Sequence, residues 1–137
     1  MRVSVFGLGY VGCVSAACFA SSGNNVVGVD VNPLKVEIIN SGKSPIVEEG
    51  IGDLLQQVVE AGALRATTDT SEAINSTDIS LVCVGTPSRA NGALDLTYVE
   101  KVCDDIGRSL REKNGTHTVV IRSTMLPGTI EQVVTPT

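Results

Sequence analysis

An apolar run that ends in three glycines at the spacing G-x-G-x-x-G admits few folds. It reads VSVFGLGYVG, from Val3 to Gly12. Val3–Phe6 has the character of a short buried strand. Val11 to Ser22 reads as a helix rich in small side chains, closed by Gly23 at a C-cap position. A strand that passes through a glycine turn into a helix gathers free N–H groups and the positive end of the helix dipole at one point. An anion such as a pyrophosphate is stabilised there. Gly7 is expected to permit the tight turn, Gly9 to let a diphosphate approach the backbone, and Gly12 to let helix and strand pack closely. Met1-Arg2, the apolar run and Ala16-Ala17-Cys18 also have the outline of a secretory signal. That reading fails because Gly7, Gly9 and Gly12 punctuate the apolar segment and its positive region is a single Arg.

The alternation continues. Asn25–Asp30 is a second strand, apolar until its final carboxylate, and Asn32-Pro33 supplies an N-cap and first-turn proline for a helix to about Asn40. The loop KSPIVEEG, Lys43 to Gly50, leads to a helix from Ile51 to Ala61. Leu64–Thr67 is a third strand, and Asp69-x-x-Glu72 is an acidic capping box opening a short helix. Asp78–Val84 is a fourth strand, and Asp95 is expected to cap the longest helix, whose core face carries Leu96, Val99, Cys103, Ile106 and Leu110. The acids Glu100, Asp104 and Asp105 precede the bases Arg108, Arg111 and Lys113, a charge order that suits the macrodipole and reads as a solvated face. His117–Arg122 is a fifth strand, and a last helix begins at Thr129.

This order predicts an α/β fold: a Rossmann-type doubly wound parallel sheet, truncated before its last strand, since a complete dinucleotide fold has two halves of three strands. Residues 1–137 are therefore expected to form one dinucleotide-binding domain, the N-terminal fragment of a longer multidomain protein. His117–Arg122 should then lie at an open sheet edge, and the fragment should self-associate.

A formal charge of −5 and the lack of any basic run argue against nucleic acid or an anionic membrane as a partner. No stretch is apolar and long enough to span a bilayer. Cys13, Cys18, Cys83 and Cys103 form no C-x-x-C and share the chain with a single His, His117, so no metal site is expected. They read as buried, reduced thiols, and the protein as cytoplasmic.

Asp30 stands 18 positions after Gly12, at the end of the second strand. A carboxylate there can accept both adenosine ribose hydroxyls and repel a 2′-phosphate, so NAD is favoured over NADP. Lys35, a full turn into the next helix, fits a ribose hydroxyl contact. Open α/β sheets bind ligands outside the carboxyl ends of their strands, which draws in Gly85-Thr86-Pro87 and Ser123-Thr124. Gly85 and Thr86 can pass near the adenosine or diphosphate, and Thr124 can face the nicotinamide or hold a water. Both threonines fit ordinary turn positions equally well.

FGLGYVG (Phe6–Gly12), GVDVNPLKVEIIN (Gly28–Asn40), SPIVEEG (Ser44–Gly50), CVGTPSRANGALDLTYVE (Cys83–Glu100) and RSTMLPGT (Arg122–Thr129) together resemble the nucleotide-sugar 6-dehydrogenases, a family that includes UDP-glucose and GDP-mannose dehydrogenases. KSPIVE, the Asn91–Leu96 segment and RSTMLPGT, with Arg122, are most similar to the GDP-mannose enzymes of alginate-making bacteria. The resemblance implies oxidation of a sugar C6 alcohol to a carboxylate, with two NAD used in succession and a thiol nucleophile. It implies cofactor roles for Tyr10, Val11, Asp30, Lys35, Thr86 and Thr124, and for Thr124 a catalytic role in positioning a water. Glu49 stands where the family usually has Pro. The catalytic Cys and its supporting Lys, Glu and Asn lie in parts of the family absent from this chain, and none of its four cysteines matches that nucleophile. The fragment is thus expected to bind NAD without oxidising sugar alone, and the parent, which takes the nucleotide-sugar substrate, to be a homo-oligomer. A freestanding NAD-binding or sensing module and an S-adenosylmethionine-binding Rossmann domain are the competing readings.

Overall fold

The computed structural model describes residues 1–136. Its five strands and five α-helices follow in the order β1 (Arg2–Phe6), α1 (Tyr10–Ser21), β2 (Asn25–Val29), α2 (Pro33–Asn40), α3 (Ile51–Glu60), β3 (Leu64–Thr67), α4 (Thr70–Ser76), β4 (Ile79–Val82), α5 (Thr97–Glu112) and β5 (Thr118–Ile121). A π-helical turn follows over Ile130–Val134. All strands run parallel, in the order β3-β2-β1-β4-β5. This is the doubly wound order expected from the sequence, with β1 and β4 meeting where the winding reverses.

Parallel strands buried on both faces need apolar residues on both. Val3, Val5 and Val26 pack with Cys13, Ala16, Ala17, Leu55 and Val58 on the side covered by α1 and α3. Phe6, Val27, Val29 and Val82 pack with Ala73, Ile74 and Ile106 on the side covered by α4 and α5. Full burial of a side chain such as Phe6 or Ile74 contributes about 1.5–3 kcal/mol. The small residues of α1 let it lie close against the sheet.

The two sheet edges differ. At β3, Asn40 closes the edge: its Nδ2 donates to the Ala66 carbonyl at 2.9 Å and its Oδ1 accepts the Ala66 N–H at 2.8 Å. The side chain thereby takes the place of a neighbouring strand. At the other edge β5 has no further strand beside it among the described residues, and Val120 is 41% exposed.

The helix starts refine the expected caps. Asn32 accepts from Leu34 N–H at 3.0 Å, as expected. Asp69 accepts from Glu72 N–H at 3.0 Å, but the return half of the capping box is absent. The Glu72 carboxylate instead meets Arg65 and Thr67, and Thr67 Oγ1 accepts the Asp69 N–H at 3.1 Å. Asp95 is not the cap of α5. Leu96 occupies that position without a side-chain bond, while the Asp95 carboxylate accepts from Thr97 N and Oγ1 at 3.0 and 2.6 Å and from Arg89 at 3.2 Å. These bonds hold its pKa below the usual value.

Lys113 does not belong to the solvated face either. It follows the last turn of α5, and its Nζ donates to the Ile74 carbonyl at 2.7 Å, to the Thr77 carbonyl, and to His117 Nδ1 at 2.9 Å. An ammonium only donates, so Nδ1 is an acceptor and Nε2 carries the hydrogen given to Ser80 Oγ at 2.7 Å. Ser80 Oγ lies 2.7 Å from Ser4 Oγ, and both serines are fully buried. Burial first, and the Lys113 charge second, push the His117 pKa below 6.5, against the Thr77 carbonyl and the Asp78 carboxylate. Arg2 pairs with that Asp78 at 2.7 Å.

Stability should therefore fall on acidification. The folded state resists protonating His117, so below 6.5 the unfolded chain binds more protons and gains on the folded one. The contribution is complete above 6.5 and is lost as pH falls through the lower folded value. Urea unfolding at successive pH values should show this slope, and His117→Gln should flatten it. An equal slope in the variant would assign the acid sensitivity to other groups.

Candidate functional site

Strand register builds the site. Thr67, Val29, Phe6, Val82 and Ile121 pair in one row across the sheet. The segments that follow, which begin at Thr68, Asp30, Gly7, Cys83 and Arg122, therefore emerge along one rim. A cleft of about 480 Å³ opens there, lined by the glycine turn, Asp30, Lys35, Cys83 and Gly85. A larger hollow of about 580 Å³ lies between the first half of α5 and residues 132–136. It carries Glu100 and Asp104 against one cation, Lys101, and none of the glycine-turn amides, so it suits an anionic ligand less well than the cleft.

The turn explains its glycines one by one. Gly7 has φ +90°, a left-handed value, and a Cβ on it would stand 3.0 Å from the Cys83 carbonyl carbon and oxygen. A Cβ on Gly9 would meet nothing within 4 Å, which leaves the backbone open to an approaching ligand. A Cβ on Gly12 would lie 1.7 Å from the Gly7 carbonyl oxygen. The close approach at Gly12 is thus to the turn itself, more than to the strand face.

Whether a dinucleotide diphosphate fits can be judged from the amides. Gly7 N–H is spent on the Val29 carbonyl at 2.8 Å and Leu8 N–H on Asp30 Oδ2 at 2.8 Å. The N–H groups of Gly9, Tyr10, Val11 and Gly12 have no acceptor among the described residues. Four unpaired donors at a helix start, with no side-chain cap, match the oxygens of a diphosphate.

Asp30 follows the last residue of β2 and lines the cleft, and it is also a scaffold residue. Besides the Leu8 bond, its Oδ1 accepts from Asn32 N at 2.9 Å, and Lys35 Nζ stands 3.8 Å from Oδ2. Its side chain is only 9% exposed. Tyr10 stands at the first position of α1, and the Glu48 carboxylate near its phenol pushes the Tyr10 pKa up. The loop KSPIVEEG therefore reaches the anion-binding end of α1. Val11 is exposed at the same end.

On the other side of the turn, Thr86 and Thr124 are brought together. Thr86 Oγ1 donates to the Thr124 carbonyl at 2.6 Å, and Ser123 Oγ donates to the Val84 carbonyl at 2.7 Å. Arg122 reaches back to α1, where its Nη1 donates to Ser15 Oγ at 2.9 Å.

Cleft residues not anticipated from the sequence are Thr68 and Thr70 before and in α4, and Tyr98, Lys101, Val102 and Asp105 on α5. The α5 set recurs at helical spacing on a face beside the core stripe of Val99, Cys103 and Ile106. The sequence therefore held the signal, although Asp105 reads there as part of a solvated face.

The thiols are not alike. Cys13 and Cys103 are buried, Cys83 is partly buried, and Cys18 is exposed, contrary to the expectation of four buried thiols. Cys18 lies on the outer side of α1, away from the sheet. Burial pushes the Cys13 thiol up to about 11, and raises Cys83 and Cys103 as well. No group of three His, Cys, Asp or Glu among the described residues could hold a metal ion, and no described helix is long and apolar enough to cross a membrane.

Residues 1–137 match the description of the UDP-glucose/GDP-mannose dehydrogenase family, NAD binding domain. The GDP-mannose 6-dehydrogenase of Pseudomonas syringae pv. tomato is 57% identical over 99% of this chain and 31% of its own length. Among solved structures, a ternary complex of GDP-mannose dehydrogenase from Pseudomonas aeruginosa superposes with a TM-score of 0.98 at 56% identity, covering 99% of this chain and 31% of that one. A UDP-glucose dehydrogenase from Pyrobaculum islandicum gives 0.94 at 42% identity, covering 98% of this chain and 31% of that one. This chain thus spans about a third of the length of these relatives. With its parallel sheet, open glycine turn and strand-end carboxylate, the chain belongs to the UDP-glucose/GDP-mannose dehydrogenase family, through its NAD binding domain.

Proposed function

We propose that this chain is the NAD-binding domain of a GDP-mannose 6-dehydrogenase, an enzyme that converts GDP-mannose to GDP-mannuronate with two NAD and one water. The observation that carries the cofactor assignment is the set of unpaired amides from Gly9 to Gly12 beside the Asp30 carboxylate. GDP-mannose rather than UDP-glucose is supported by identity, 57% to the Pseudomonas syringae enzyme against 42% to the Pyrobaculum one. The sugar pocket and the nucleophilic thiol are assigned to the two thirds of the relatives that lie outside this match. Raised pKa values keep Cys13, Cys83 and Cys103 protonated, which makes each a poor nucleophile.

NAD, when bound, supplies the hydride acceptor for the alcohol. The residues of this chain bind and orient. The Tyr10 and Val11 amides, with those of Gly9 and Gly12, hold the diphosphate, and Gly7 shapes their turn. Asp30 accepts the adenosine ribose hydroxyls and Lys35 donates to one of them. Gly85 and Thr86 line the path beyond the turn, and the exposed Thr124 places a water near the nicotinamide. Residues 1–137 then form the N-terminal unit of a longer, homo-oligomeric, cytoplasmic enzyme that supplies a uronate precursor for an alginate-type polysaccharide.

Calorimetric titration of the chain with NAD, NADP and S-adenosylmethionine tests the cofactor assignment. NAD is expected to bind, NADP more weakly, and S-adenosylmethionine not at all. Absence of NAD binding at saturating ligand would overturn it, and preference for S-adenosylmethionine would reassign the fold to methyl transfer.

A further inference from the structure

The β4–β5 ladder ends with the bond from Arg122 N–H to the Val82 carbonyl at 2.8 Å. Beyond it, side chains continue the pairing. Thr86 gives its hydrogen to the Thr124 carbonyl, and Ser123 gives its hydrogen to the Val84 carbonyl, so each segment supplies one hydroxyl and one carbonyl. We propose that this reciprocal pair locks the two strand-end segments into one seat for the nicotinamide half of the dinucleotide, with Ser123 a positioning residue and Thr86 both a brace and a contact for the ligand. The inference rests on the NAD reading above and adds two things to it: a role for Ser123, and a direction for the Thr86 hydrogen bond.

The strand order fixes which half of the ligand is concerned. Asp30, at the end of β2, lies on one side of the glycine turn, and the Thr86 and Thr124 segments lie on the other. A dinucleotide held by its adenosine ribose at β2 and its diphosphate at α1 extends its second half across β4 and β5. A hydroxyl has one hydrogen and two acceptor sites. The Thr86 hydrogen is committed to Thr124, so a ligand meets only acceptor capacity there. The matching ligand groups are donors, a carboxamide N–H or a ribose hydroxyl, and the nicotinamide nucleoside carries both. ADP carries neither at that end.

Calorimetry with NAD and with ADP on the wild-type chain and on Ser123→Ala, Thr86→Val and Thr86→Ser tests this. Ser123→Ala and Thr86→Val are expected to weaken NAD by about tenfold, the equivalent of one lost hydrogen bond. ADP affinity should stay unchanged, which also reports that the variants are folded, and Thr86→Ser should restore NAD binding. Equal losses of NAD and ADP would reduce the pair to a general structural brace and overturn the inference, as would unchanged NAD affinity in both variants. Wild-type chain that binds ADP as tightly as NAD would also overturn it, while leaving the NAD-domain reading intact. Wild-type chain that binds neither ligand would instead fail the domain reading itself.

Discussion

Gly12→Ala is expected to destabilise the domain by more than about 3 kcal/mol, at the upper end of overpacking effects, and to abolish NAD binding. The added Cβ would stand 1.7 Å from the Gly7 carbonyl oxygen and 2.9 Å from its carbon. Both are backbone atoms of the turn, so no side chain can rotate out of the way. Relief requires α1 to withdraw from the end of β1, and that movement carries away the four unpaired amides. Gly9→Ala provides the internal comparison. Its Cβ meets nothing within 4 Å, so the fold should keep its stability while the methyl narrows the ligand path. Urea unfolding and NAD calorimetry on both variants separate the two effects. A Gly12→Ala protein with the wild-type unfolding midpoint would show that the turn has another way to close, and would remove the steric account of this glycine.

The strands and helices were legible because each is punctuated locally. Gly23, Gly42 and Gly62 follow α1, α2 and α3, and each has positive φ. Asn32 and Asp69 cap the starts that their types predict. The glycine turn and the position of Asp30 were legible for a different reason: a G-x-G-x-x-G spacing after an apolar run leaves few other turn geometries, and a carboxylate closing an apolar run marks the end of a strand. What escaped depends on contacts distant in sequence. Asn40 seals an edge strand 26 residues away. Lys113 looks like a surface base until α4 and His117 are brought beside it. Thr86 and Thr124 each read as a possible site residue, yet nothing local indicates that one donates to the other across 38 positions. The α5 residues Tyr98, Lys101, Val102 and Asp105 share a face that is polar in composition. Only the position of α5 beside the sheet rim turns that face into a cleft wall.

Asp30 calls for two substitutions, because one carboxylate has two duties. It accepts the Leu8 and Asn32 amides, which shape the glycine turn and the start of α2, and under the proposed function it accepts the ribose. Asp30→Ala removes both duties. NAD affinity should fall by about 1–3 kcal/mol, the range for charge-assisted hydrogen bonds, and stability should fall by about 1–2 kcal/mol because the Leu8 amide loses its acceptor. Asp30→Asn retains one carbonyl oxygen for the Leu8 amide, so its unfolding midpoint should stay nearer wild type. It nevertheless loses the charge that excludes a 2′-phosphate. Lys35, 3.8 Å away in the wild type, is then left without its anionic neighbour and becomes available to a phosphate. Both variants should therefore narrow the preference for NAD over NADP, and only the alanine should lose substantial stability. Asparagine with undiminished NAD affinity and unchanged NADP discrimination would make Asp30 a loop anchor alone. The selectivity would then have to come from the α5 wall of the cleft, where Lys101 and Asp105 are the charged groups.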